Sequence, residues 1–188
     1  MFEKRKEAVM FKLAEAINEN KVDPEILETL KLINSKKKYY TTSSCAGRIV
    51  LIWMPELGDK KGSVFLGKWH RKIKYEELIE SLRFRDSGVV FLISQSPIIH
   101  VASYDLKSAI EIRDLAFSCG FKNSGIKSIS NKIIVEILST ERIDVPLGER
   151  ELLVNEEYLR FLVKYANKAL EKSRKKLEKL NKKLKESL

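Results

Sequence analysis

The chain has 188 residues with 36 Lys and Arg against 26 Asp and Glu, a formal charge of +10 and a pI near 9.5. With 44% hydrophobic residues and only 8 Gly and 4 Pro, it holds enough apolar material for one core and is neither disordered nor collagen-like. The longest apolar run, Ile49 to Met54, falls far short of the roughly 20 residues that span a bilayer. The N-terminus intermixes acids and bases without a signal-peptide pattern, so no membrane partner and a cytoplasmic location are expected.

Val9, Leu13, Ala16 and Ile17 share one face of an opening helix. Asp23 as cap and Pro24 in the first turn signal a second helix running to about Ile33. Tyr39 to Met54 is β-branched and aromatic, interrupted at Ser43 to Gly47 by a turn or bulge between two short strands. Pro55 to Gly62 reads as a polar loop and Val64 to His70 as a strand. Helices near Tyr75 to Phe84 and Asp105 to Cys119 then alternate with strands near Val89 to Ile93, Ile98 to Ser103, Ile126 to Ser130, Ile133 to Leu138 and Ile143 to Leu147. Ser130-Asn131 is the best hairpin turn. The expected class is an α+β mixture, a mixed curved sheet with flanking helices.

Asn155 to Leu188 reads as one long helix, with Leu159, Val163, Ala166, Leu170, Ser173, Leu177, Leu180 and Leu184 on a heptad seam. The favoured reading is one α/β domain over residues 1–188, with helix 155–188 packed on the N-terminal helices of residues 2–33. A partner chain on the seam is the alternative; a monomer is expected ahead of an oligomer. The helix is also where the charge lies, with ten bases and three acids from Lys164 onward. A basic balance of this size suits a polyanion, nucleic acid before membrane.

Thr41-Thr42-Ser43-Ser44-Cys45-Ala46-Gly47-Arg48 sets hydroxyls, a thiol and backbone amides beside a fixed positive charge, a combination that holds carboxylates or phosphates. A polar β-bulge whose Ser and Thr satisfy their own backbone reads equally well. Cys45 and Cys119 have no spacing for zinc or a redox pair, and Cys45 is better read as packing than as a nucleophile. His70 and His100 both end apolar strands, where a histidine is a structural residue or a proton acceptor; no metal is expected. Asn123, Ser124 and Gly125 form a polar turn behind Gly120, a natural helix stop. Tyr39, Tyr40, Trp53 and Trp69 near Lys36-Lys37-Lys38 are either base-stacking aromatics or core. No Gly-x-Gly-x-x-Gly occurs, and Gly62-Ser63-Val64-Phe65-Leu66-Gly67-Lys68 lacks both the Ser or Thr and the polar loop of a P-loop.

Taken in order, Ser43-Ser44-Cys45-Ala46-Gly47-Arg48, Trp69-His70, Pro97-Ile98-Ile99-His100-Val101, Gly120-Phe121-Lys122-Asn123-Ser124-Gly125-Ile126 and Val145-Pro146-Leu147 resemble the wybutosine-synthesis tRNA methyltransferase family in its archaeal form. The resemblance covers about residues 1 to 165; Ala46 departs from it, where the family often has Ser. It implies a fold distinct from the Rossmann methyltransferases. It also implies S-adenosylmethionine as donor and methylation of N4 of the wyosine-type base at position 37 of tRNA-Phe. On this reading Ser43, Ser44, Cys45, Gly47 and Arg48 bind cofactor or substrate, Asn123, Ser124 and Gly125 the base edge. His100 is the candidate base, with His70 second. A non-catalytic RNA-binding module is the alternative.

Overall fold

A computed structural model describes residues 1–58 and 61–186. Parts of two expected elements, residues 59 and 60 of the polar loop and residues 187 and 188 of the last helix, lie outside the described residues. In chain order the elements are α1 (Phe2–Asn18), a 3₁₀ turn (Pro24–Ile26), α2 (Leu27–Ser35), β1 (Tyr39–Cys45), β2 (Arg48–Met54) and β3 (Val64–Trp69). They continue through α3 (Tyr75–Ser81), β4 (Val89–Gln95), β5 (Ile98–Ser103), α4 (Leu106–Ser118), β6 (Gly125–Ser128), β7 (Ile133–Leu138), β8 (Ile143–Gly148) and α5 (Glu156–Glu186).

The α+β class and the long last helix are as expected, but the strands do not form one mixed sheet. They form two four-stranded sheets, β1-β5-β7-β6 and β3-β2-β4-β8, and every pairing is antiparallel. The two strands flanking Ser43 to Gly47 therefore do not pair with each other. Gly47 between them takes φ +86°, left-handed backbone that favours glycine.

The chain divides into two compact units. The first comprises Met1–Ala46, Pro97–Thr140 and Ser173–Leu188, and the second Gly47–Ser96 and Glu141–Lys172. In the first, Ile99, Val101, Val135 and Ile137 of the sheet pack with Ile26, Leu30 and Ile33 around α2, with Ala109, Ile112 and Ala116 of α4, and with Leu177, Leu180 and Leu184 of α5. In the second, Ile49, Leu51, Val90 and Leu92 pack with Leu78 of α3 and with Leu159, Leu162, Val163, Ala166 and Leu170 of α5. All eight heptad residues are buried. Only the C-terminal half of the seam meets α2, where Thr29 Oγ1 donates to Asn181 Oδ1 at 2.6 Å; the N-terminal half serves the second unit's core.

Local signals act much as their chemistry dictates. Asp105 accepts from the Ser108 amide at 2.7 Å at the start of α4, and Gly120, at φ +100°, ends it. Asp23 stands at the N-cap position before Pro24, but its side chain makes no cap hydrogen bond, and its carboxylate accepts from the Ala46 amide at 2.9 Å. Gly62 to Lys68 is a turn followed by β3, in keeping with its failure as a phosphate loop. Tyr39, Tyr40 and Trp53 are core residues, at most 8% exposed, so they offer bases no stacking surface.

Because the seam is consumed by both cores, Leu180→Ala is expected to lower the unfolding free energy by about 2–4 kcal/mol in urea titration. Lys179→Ala, one residue away and exposed, should stay within about 0.5 kcal/mol of wild type.

Candidate active site

The hydroxyl-rich stretch is the C-terminal half of β1, the edge strand of the first unit's sheet. Side chains from the α2 region hold its outward backbone: Thr41 N–H donates to Asn34 Oδ1 at 2.8 Å, and the Ala46 amide donates to Asp23. Between these anchors Thr42 is an extra residue. Thr41 stands opposite Val101 and Ser43 opposite His100, so the register shifts by one across the pair. A shift of one residue exchanges the faces of a strand. The bulge thereby brings Ser43, rather than Thr42, onto the face of His100.

Ser43 Oγ lies 2.6 Å from His100 Nδ1, and His100 Nε2 lies 2.9 Å from Glu136 Oε2 on β7. An ionised carboxylate only accepts, so Nε2 carries the proton that it donates to Glu136, and Nδ1 of the neutral ring accepts from the Ser43 hydroxyl. Lys127 Nζ on β6 closes the row at 2.8 Å from Glu136 Oε1. The imidazole is 29% exposed and Glu136 12%, with Ser43 open to solvent. Gly125 stands opposite Glu136 on β6, and a Cβ there would meet nothing within 4 Å, which leaves the sheet open beside the carboxylate. A serine, a histidine and a glutamate in hydrogen-bonded sequence can pass a proton from a substrate to the ring and stabilise the imidazolium.

Burial pushes the Glu136 carboxyl up, but hydrogen bonds from Lys127 and His100 and the positive charge of Lys127 outweigh it, and the group titrates below its ordinary value. Neither Glu136 nor Lys127 was among the residues singled out from the sequence. A signal was present: Glu136 is the sole acid in Ile-Ile-Val-Glu-Ile-Leu, where a charge needs a partner.

The other expected site residues fare differently. Ser44 is exposed and Cys45 half-buried at the end of β1, and neither Cys45 nor Cys119 is in a disulfide. Ser124 is already committed within the fold, since its hydroxyl donates to Phe121 O at 2.8 Å and accepts from the Leu138 amide at 3.1 Å. Both bonds hold it in the turn, where it lines an open hollow with Gly125 and Ile126. Asn123 presents an exposed side chain while its amide donates to Leu138 O. Gly47, Arg48 and His70 belong to the second unit. Arg48 Nε donates to Gln95 Oε1 at 3.0 Å and the guanidinium lies 5.7 Å from the Phe65 ring. Among the described residues its two terminal nitrogens make no hydrogen bond or ion pair, which leaves the fork available for a carboxylate or phosphate. His70 follows β3 and is half-buried.

This hydrogen-bonded row on an antiparallel sheet, in a chain without a dinucleotide loop, is compatible with a non-Rossmann transferase, and the comparisons give the class. Residues 4–186 match the family model described as Methyltransferase TYW3, and the chain belongs to that family. A Thermococcus sibiricus protein, 46% identical over 92% of this chain and 89% of its own length, is named tRNA(Phe) 7-((3-amino-3-carboxypropyl)-4-demethylwyosine(37)-N(4))-methyltransferase. A Pyrococcus furiosus protein of the same name, numbered 1, is 49% identical over 88% of this chain and 86% of its own. The solved structure of the PH1069 protein from Pyrococcus horikoshii is similar at a TM-score of 0.92 and 46% identity, over 97% of this chain and 95% of that one.

Glu136→Gln tests the anchoring of His100. A carboxylate whose folded value is depressed adds stability above its unfolded value and loses it as pH falls through the folded one. The variant should therefore be less stable at pH 7, by on the order of 1–2 kcal/mol. The gap should close as pH is lowered through and below the carboxylate range in parallel urea titrations.

Proposed function

We propose that this chain is an S-adenosylmethionine-dependent tRNA methyltransferase acting on N4 of the wyosine-type base at position 37 of tRNA(Phe). The near full-length identity to proteins of that name carries the reading. The aminocarboxypropyl-bearing demethylwyosine of those names is the acceptor proposed here.

Bound S-adenosylmethionine supplies a methyl group made electrophilic by its sulfonium. What remains for the chain is to position the acceptor and remove its proton. Ser43 Oγ takes the proton leaving the base nitrogen and passes its own to His100 Nδ1. As one N–H and one O–H bond break, a new O–H and a new N–H form. Glu136 then faces a full imidazolium, so the carboxylate gains most when the proton has arrived, and Lys127 keeps that carboxylate ionised beforehand. No covalent nucleophile is needed, which leaves Cys45 a binding or packing residue. The uncommitted fork of Arg48 in the second unit suits a carboxylate such as that of the donor; Ser44 of the first unit and Gly47 of the second are each kept as proposed binding residues. Asn123 and the open strand at Gly125 are proposed for the edge of the base, which must leave its stack to be reached. A module that only bound phosphate would have no use for a glutamate behind a histidine.

Methyl transfer to tRNA(Phe) isolated from cells lacking this protein is the direct test. His100→Ala and Ser43→Ala should each reduce single-turnover transfer by about 100-fold at saturating substrate, the range of general base catalysis. Retention within a few-fold would remove the proton path. Arg48→Ala should instead raise the KM for the donor with a smaller change in kcat.

A further inference from the structure

The N-terminal half of α5 breaks the rule its own seam obeys. Leu159, Val163, Ala166 and Leu170 point into the second unit's core. At 3.6 residues per turn, the face bearing Tyr158, Phe161, Tyr165, Lys164 and Lys168 centres roughly 180° away. An amphipathic helix places polar residues there. Instead Tyr158, Phe161 and Tyr165 are 41%, 50% and 41% exposed. Their rings form a ladder along the helix, Tyr158 and Phe161 nearly parallel at 6.3 Å between centroids, Phe161 and Tyr165 at 4.5 Å. Asn155 and Glu157 join the first two rings around an open hollow.

Charge distinguishes the occupant. Lys164 and Lys168 are exposed and make no ion pair among the described residues; Lys168 Nζ stands 5.5 Å over the Tyr165 ring. Further along, the bases of α5 meet acids, as Lys172 does Glu141 and Arg174 does Glu25. A free aromatic ladder beside free lysines suits a polyanion with flat apolar groups. Three rings of about 150–250 Å² each, half open, offer only roughly 250–300 Å², well under the ~800 Å² per partner of a stable protein pair. Bases can stack on such a surface one at a time, and every base has a π face.

We propose that the Tyr158–Phe161–Tyr165 face of α5 is a stacking platform for unpaired nucleobases of the RNA substrate, with Lys164 and Lys168 on the adjoining phosphates. The proposal rests on the tRNA reading above and adds a contact surface outside the methylated base.

The test uses the full chain with a single-stranded oligoribonucleotide carrying 2-aminopurine, and with tRNA(Phe) from cells lacking the protein. Stacking should quench the 2-aminopurine emission on saturation. Tyr158→Ala with Phe161→Ala and Tyr165→Ala should weaken oligonucleotide and tRNA binding at least tenfold, Phe161→Trp should retain it, and thermal unfolding should report that each variant remains folded. Lys164→Ala with Lys168→Ala should flatten the salt dependence of binding. Unchanged emission at saturation, or binding by the triple variant within twofold of wild type, overturns the platform. So does a wild-type dimer that the triple variant dissolves, since a second copy would then cover the face. If the wild-type chain binds RNA in this manner but transfers no methyl group to that tRNA, the platform stands and the reading of the activity falls.

Discussion

One helix face governs this molecule. An apolar sheet face needs a cover, and a helix of 31 residues carrying a heptad seam supplies one to two cores in turn. Leu159 to Leu170 complete the second unit, Leu177 to Leu184 the first. No residue of the seam is left for a partner chain. The polar Ser173 lies fully buried on the same seam, and it is also where the first unit's share of the helix begins.

That commitment changes the meaning of the basic charge. Ten bases beyond residue 163 suggest a long-range attractor for RNA, yet part of that charge is spent inside the fold. Lys185 pairs with Glu28, Arg174 with Glu25 and Lys172 with Glu141, while Lys176 reaches Ser139. Where such pairs are exposed they add little stability singly, but they reduce the field a distant anion feels. What stays uncommitted includes Lys164 and Lys168, the two lysines beside the exposed rings.

The proposed proton path depends on a different and smaller constraint, one surplus residue in an edge strand. Without the bulge at Thr42 the hydroxyl on the histidine's face would belong to another side chain. Asn34 and Asp23 hold the backbone on either side of it, which keeps the register from slipping where an edge strand is otherwise weakly specified. Glu136 then reaches the ring from the next strand and Lys127 reaches Glu136 from the one beyond, so the row exists only because β5, β7 and β6 lie side by side.

Much of this was legible in the residues themselves. Periodicity, caps and glycine stops marked nearly every helix and strand, because hydrophobic spacing and backbone preference act over a few residues. The ordered motifs from Ser43 to Leu147 resembled the methyltransferase family that the comparisons then gave, and His100 stood out as a histidine ending an apolar strand. Partnership was not legible. That the strands on either side of Gly47 enter different sheets, that Ser124 accepts from the Leu138 amide of β7, and that Glu136 stands behind His100 are matters of which distant strands become neighbours. So too is the exposure of Tyr158, Phe161 and Tyr165, which the seam alone does not announce. Local sequence sets the shape of each element through short-range sterics and burial. Contacts between residues far apart in the chain are chosen by how whole apolar faces pack, and only the tertiary structure makes that choice.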